Sequence, residues 1–107
     1  MTTLQVLREA RELIADRDRW CRRYSALDPQ GWEVSPEDSA ACRWCSAGAV
    51  RRVSANPELS WSAVIALEKA ILLDPLAKTS ILTDFNDRRG HAAVIDLFDR
   101  AITQEER

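Results

Sequence analysis

Arg43-Trp44-Cys45-Ser46-Ala47-Gly48-Ala49-Val50 is the stretch on which the reading of the fold turns. It holds a tryptophan, a cysteine and a glycine near the middle of the chain. With Ala41 before it and Val53 after it, the apolar and small residues keep a helical rhythm, so the stretch reads as the buried centre of a helix. Upstream, Ser35-Pro36-Glu37-Asp38 gives that helix a start: a cap candidate, a proline at the first turn and acids near the positive end of the dipole. Downstream, the helix ends around Ser54–Asn56, and Asn56-Pro57 supplies the next stop and start.

Outward from this centre the chain reads as further helices. Thr2 and Gln5 form a capping box, and Leu4, Leu7, Ala10, Leu13 and Ile14 follow at helical spacing. The pattern continues through Trp20, Cys21 and Tyr24 across a charged segment near Asp16, predicting one long first helix, bent or interrupted there. Asp28-Pro29 and Gly31 break it. Trp32 and Val34 alternate with polar neighbours, but no second strand is in sight, so they are expected to fold back as an apolar lid. A helix from Pro57 or Ser60 to Leu73 buries Leu59, Ala63, Val64, Leu67, Ala70 and Ile71. Trp61, Ile65 and Leu72 widen that face and make it the most buried helix.

Asp74-Pro75 opens a short helix with Leu76, Ile81, Leu82 and Phe85. Asn86-Asp87-Arg88-Arg89-Gly90 reads as a loop, and His91 opens a last helix with Val94, Leu97, Phe98, Ala101 and Ile102 facing inwards. The tail from Thr103 is expected to fray. The fold class is all-α: one domain over 1–107, an orthogonal or irregular bundle of about five helices.

Composition bounds the function. With 46% apolar and 30% charged residues in 107, the chain is long enough to bury a core without disulfides or metal. A net charge of −2 gives no pull towards nucleic acid or an anionic membrane. Three cysteines, an odd number, and the lack of a basic-then-apolar opening point to a reducing cytoplasm. No apolar run is long enough to span a membrane.

Four constellations can carry chemistry. Cys42 and Cys45 have C-x-x-C spacing and, with Cys21 and His91, make a Cys3His set for zinc. Both lie in a predicted helix, and the other two come singly, so small core thiols explain them as well. No cofactor or metal is assigned. Cys45 could act as a nucleophile with His91 as base, oriented by Asn86 or Asp87; a loop-capping histidine is the plainer reading. Arg22-Arg23, Arg51-Arg52 and Arg88-Arg89 are basic pairs, and Ala41 to Ile71 outlines a divergent helix-turn-helix with Gly48 at the turn. The helical pattern through Gly48 and the excess of acids oppose it. Of the four tryptophans, Trp20 beside Arg22 and Arg23 is the one expected to be partly exposed.

Trp20-Cys21, Asp28 with Gly31, Trp44-Cys45-Ser46-Ala47-Gly48-Ala49, Phe85-Asn86-Asp87 with Gly90-His91, and Val94 through Ala101 together resemble a family of small bacterial helical proteins with no assigned function. The likeness spans nearly the whole chain. It implies that these positions act together and supplies no activity to carry over.

The structural account of the pattern is a packing centre: Gly48 admits another helix closely, and Asn86 and Asp87 cap the last helix. The functional reading adds a pocket or interaction surface from Trp20, Arg22, Arg23, Trp44, Cys45, Asn86, Asp87 and His91. A non-catalytic protein-interaction or accessory module, with a protein partner or a second copy of itself, is the preferred function; a DNA-binding regulator and a Cys45/His91 enzyme are the alternatives.

Overall fold

The first helix starts as its sequence reads. In a computed structural model that describes residues 1–107, Thr2 Oγ1 accepts from Gln5 N at 3.1 Å and Gln5 Oε1 accepts from Thr2 N at 2.7 Å. This capping box opens α1 (Thr3–Leu13), which buries Val6, Leu7 and Ala10.

The long first helix is not formed. Asp16 Oδ1 accepts from Asp18 N at 2.8 Å and starts a single 3-10 turn, Arg17–Arg19. A carboxylate so placed offers the backbone a partner that competes with the helical ladder. Beyond it the chain is extended, because residues 20–27 pair with the central stretch. Ala26–Leu27 forms β1 and Arg43–Trp44 forms β2, antiparallel, with Ala26 opposite Trp44 and Leu27 opposite Arg43. Trp20 also bridges Trp44, in the parallel sense. The fold is therefore five helices with a small two-stranded sheet, and not strictly all-α.

The expected helix from Ser35-Pro36 is shortened for the same reason. Ser35–Asp38 forms a turn, with Glu37 N on Ser35 Oγ and Asp38 N on Ser35 O. Cys42–Trp44 is then taken by the sheet, so α2 spans only Ser46–Val53 and Cys45 is its N-cap. Trp32 is no lid: it stands 72% exposed, while Val34 packs partly against the core.

The third helix, α3 (Pro57–Leu72), has the predicted start, with Asn56 Oδ1 accepting from Leu59 N at 2.9 Å and Pro57 in the first turn. Residues 74–81 are not helical, and α4 covers Leu82–Arg89. Arg89 and Arg100 both reach Asp74 Oδ2, at 3.2 and 3.4 Å, and fasten the connection to the last two helices. The Asp74 carboxyl is held below its ordinary value, first by the Leu76 N–H and then by these guanidiniums.

Gly90, at φ +95°, turns α4 into α5 (His91–Glu105) in a backbone region that only glycine adopts freely. α5 persists two residues past Thr103, whose hydroxyl donates to Asp99 O at 3.0 Å. One cluster of 22 buried residues unites the helices; α1 packs on α2, α3 and α5, and Phe85, Phe98, Leu7 and Leu67 are fully enclosed. No helix is long and apolar enough to cross a membrane.

Candidate functional site

Asn86 belongs to α4 and is fully buried, not a loop cap. Its Oδ1 accepts from Trp20 Nε1 at 2.8 Å and from Ser46 N at 2.9 Å, the first free N–H of α2. Its Nδ2 donates to Cys21 O at 3.1 Å and to Asp87 Oδ1 at 3.2 Å. An amide side chain has two lone pairs and two N–H donors, so every capacity of Asn86 is used inside the chain. One residue thus ties α4 to the start of α2 and to the Trp20–Cys21 segment. Ser46 Oγ, on the residue whose N–H Asn86 accepts, is buried without a partner.

The other predicted site residues close round this joint. Asp87 Oδ1 also accepts from Arg23 N at 2.9 Å, holding Arg23 at φ +72°. Trp20 is 7% exposed, which overturns the expectation that it meets solvent. Arg22 lies over its ring at 4.9 Å, and the His91 ring sits 5.7 Å from it on another side. His91 Nε2–H donates to Ile14 O at 2.7 Å, so His91 satisfies the end of α1 and does not cap its own helix. Trp44 is buried, its Nε1–H on Pro36 O at 3.1 Å and Arg52 over its ring.

Gly48 does admit a close approach, but from a strand neighbour and not from a helix. A Cβ at Gly48 would overlap the Ser25 carbonyl oxygen and crowd its carbon. The same Ser25 oxygen accepts from Cys45 N at 3.2 Å, so the β1 approach is held against the first turn of α2.

The cysteines take structural posts. The Cys45 thiol accepts from Gly48 N at 3.3 Å as the cap of α2, and burial pushes its pKa up. Cys21 Sγ donates to Tyr24 O at 3.3 Å; burial, then the neighbouring Cys45, raises it from 9.0 to about 12. Cys21, Cys42, Cys45 and His91 do not come together round one ion: no group of three or more His, Cys, Asp or Glu side chains has that arrangement. No hydrogen bond joins Cys45 to His91, whose recorded partner is Ile14 O.

A second region was not foreseen. α3 buries Ala63, Ala66, Leu67, Ala70 and Ile71 and turns Trp61, Ile65 and Leu72 outwards, reversing the expectation that these three widen the core face. Trp61, Leu72, Leu73 and Leu76 are 68%, 70%, 68% and 69% exposed. Residues 61, 65, 68 and 72 fall on one stripe at spacings of 4, 3 and 4. Glu68 accepts from Leu82 N at 2.9 Å and so brings exposed Ile81 beside that stripe. Between α2 and α3 lies a groove of about 370 Å³, lined by Glu37, Ala47, Val50, Arg51, Trp61 and Val64 among others.

A family model, that of a family of unknown function, DUF6197, matches residues 1–104. The chain belongs to that family. No curated protein and no solved structure matches it. In this DUF6197 chain the match takes in both regions, the Asn86 joint and the outer face of α3.

The two regions differ in how far the sequence of the DUF6197 chain could reveal them. The Asn86–His91 pattern drew notice because its residue types bear chemistry. The α3 face uses leucine, isoleucine and tryptophan, which read as core in any helix. The signal that could have separated them was that helix's excess: apolar residues nearly all round, more than one neighbouring layer can cover.

Proposed function

We propose that this chain is a non-catalytic protein-interaction or accessory module of the cytoplasm, and that it works through the outer face of α3 and the segment that follows it. The observation that carries this reading is the exposure of Trp61 and Leu72 on one stripe of α3, with Leu76 just beyond it, each about two-thirds in water. A monomer rarely leaves so large an apolar patch uncovered, and such patches mark places where another molecule sits. Tryptophan at the edge of a groove is the side chain that most often anchors a protein interface.

The character of the face favours protein over nucleic acid. Backbone phosphates call for several cations. The α3 helix carries one, Lys69, and sets Glu58 in its first turn. The Cys45/His91 enzyme is less well supported, because the thiol is buried with a raised pKa and the imidazole is committed to the α1 terminus.

A photo-crosslinking residue at position 65, compared with one at position 22, tests this in cells expressing the full chain. The expected result is a protein adduct from position 65 and none from position 22. Adducts from position 22 alone, or from neither, would overturn the reading.

A further inference from the structure

We infer that the occupant of the α3 face is a second copy of this chain, docked with the two α3 helices antiparallel about a two-fold axis. The inference rests on the preceding reading of that face as an interaction surface and adds its partner.

Area is the first support. With roughly 200 Å² for each free side chain of this size, the exposed fractions of Trp61, Ile65, Leu72, Leu76 and Ile81 leave on the order of 600 Å² in water. Each partner in a standard interface contributes about 800 Å². The patch alone therefore supplies roughly three-quarters of one side of a standard interface.

Self-complementarity is the second. A two-fold contact needs a surface that fits itself, residue i meeting j while j meets i. The α3 face has unlike ends. Its first end has Trp61 and the groove floored by Ala47, Val50 and Val64. Its other end has the projecting Leu72 and Leu76. Antiparallel docking lays projecting leucines on the indole and groove of the other copy, twice over. The distance along the helix suits this, since Trp61 on Leu72 places the groove end of α3, from Pro57 to Ser60, opposite the segment that carries Leu76.

Charge is the third. The acids at the first end are Glu58 and Glu37, the latter already 3.4 Å from Arg51 on the groove wall. The chain has only two lysines, Lys69 and Lys78, both exposed and both flanking Leu72 to Leu76 in the sequence. Antiparallel docking sets Lys78 of each copy towards Glu58 of the other, and the helix dipoles oppose. A parallel pairing would face acid with acid and lysine with lysine. A net charge of −2 per chain leaves little overall repulsion.

Sedimentation equilibrium of the purified full chain across the micromolar range tests the inference. The expected mass is twice 12.1 kDa. Ile65→Glu should weaken the dimer by about 30-fold or more while the helical circular dichroism and melting temperature hold. Glu58→Lys and Lys78→Glu should each weaken it by about tenfold, and the doubly exchanged chain should recover most of the loss. A mass of 12.1 kDa at every concentration, or a dimer untouched by Ile65→Glu, would overturn the inference. A monomer that still forms a heterologous adduct through position 65 removes only the second copy. A monomer with no adduct removes the interaction surface as well.

Discussion

At the joint, Asn86 is sealed in the core and all its hydrogen bonds run to Trp20, Ser46, Cys21 and Asp87. On the outer face of α3, Trp61 and Leu72 stand about two-thirds in water on a helix whose other side is fully packed. Each region contains side chains on what would ordinarily be the wrong side of the surface. The polar one has been given every partner it can take, so its burial is explained without a ligand. The apolar ones have been given none, and it is on their exposure that the proposed partner rests. Residue types that suggest chemistry thus mark the scaffold, and unremarkable hydrophobes make up the surface proposed for binding.

The harshest way to break this contrast is at Gly48. Gly48→Ala puts a Cβ into the Ser25 carbonyl, and neither backbone can yield without parting β1 from α2. A loss of about 4 kcal/mol or more is expected in denaturant unfolding; a midpoint within experimental error of the parent would remove the close-approach argument. Asn86→Ala comes next. It strands the Trp20 indole N–H, the Ser46 N–H and the Cys21 carbonyl in the core, and about 3 kcal/mol is expected from these unpaired groups. Circular dichroism melts in which Asn86→Ala matches the parent would mean that the joint is idle.

The thiol near the joint sharpens the picture through pH. Cys21 stays a neutral thiol in the folded chain to about pH 12, but ionises near 9.0 when unfolded. The unfolded state therefore binds fewer protons across that window, and stability present below pH 9 falls as pH rises towards 12. Cys21→Ala should flatten that fall; an equally steep decline in the variant would assign it to other groups. The smallest expected effect lies on the other side of the comparison. Trp61→Ser should change unfolding stability by about 0.5 kcal/mol or less, measured at a concentration where the chain is monomeric. A large loss would place Trp61 in the core after all.

Much of the frame was legible in the sequence: the Thr2–Gln5 box, the Asn56-Pro57 start of α3, and the inward faces of α3 and α5. These are local signals, settled within a few residues. What was not legible depends on contacts between distant segments. Residues 20–27 and 43–44 lack the alternation of longer strands, and only their meeting takes Trp20 and Trp44 out of the helices that their spacing suggests. The Asn86 joint is legible in its position but not in its kind, because Asn-Asp before glycine has the composition of a turn until Trp20 and Ser46 arrive from elsewhere. Exposure on α3 was hidden because periodicity counts apolar residues and does not show how many faces a neighbour can cover.

Two tryptophans provide the most direct test, since Trp32 and Trp61 are 72% and 68% exposed and differ in surroundings. Oxidative footprinting can be run on the dilute purified chain and again in cells that express it. The expected result is equal modification of both when dilute, and protection of Trp61 but not Trp32 in the cell. Modification of Trp61 as heavy as that of Trp32 in both settings, or protection that falls on Tyr24 and Arg22 instead, would contradict the assignment of the working surface to α3.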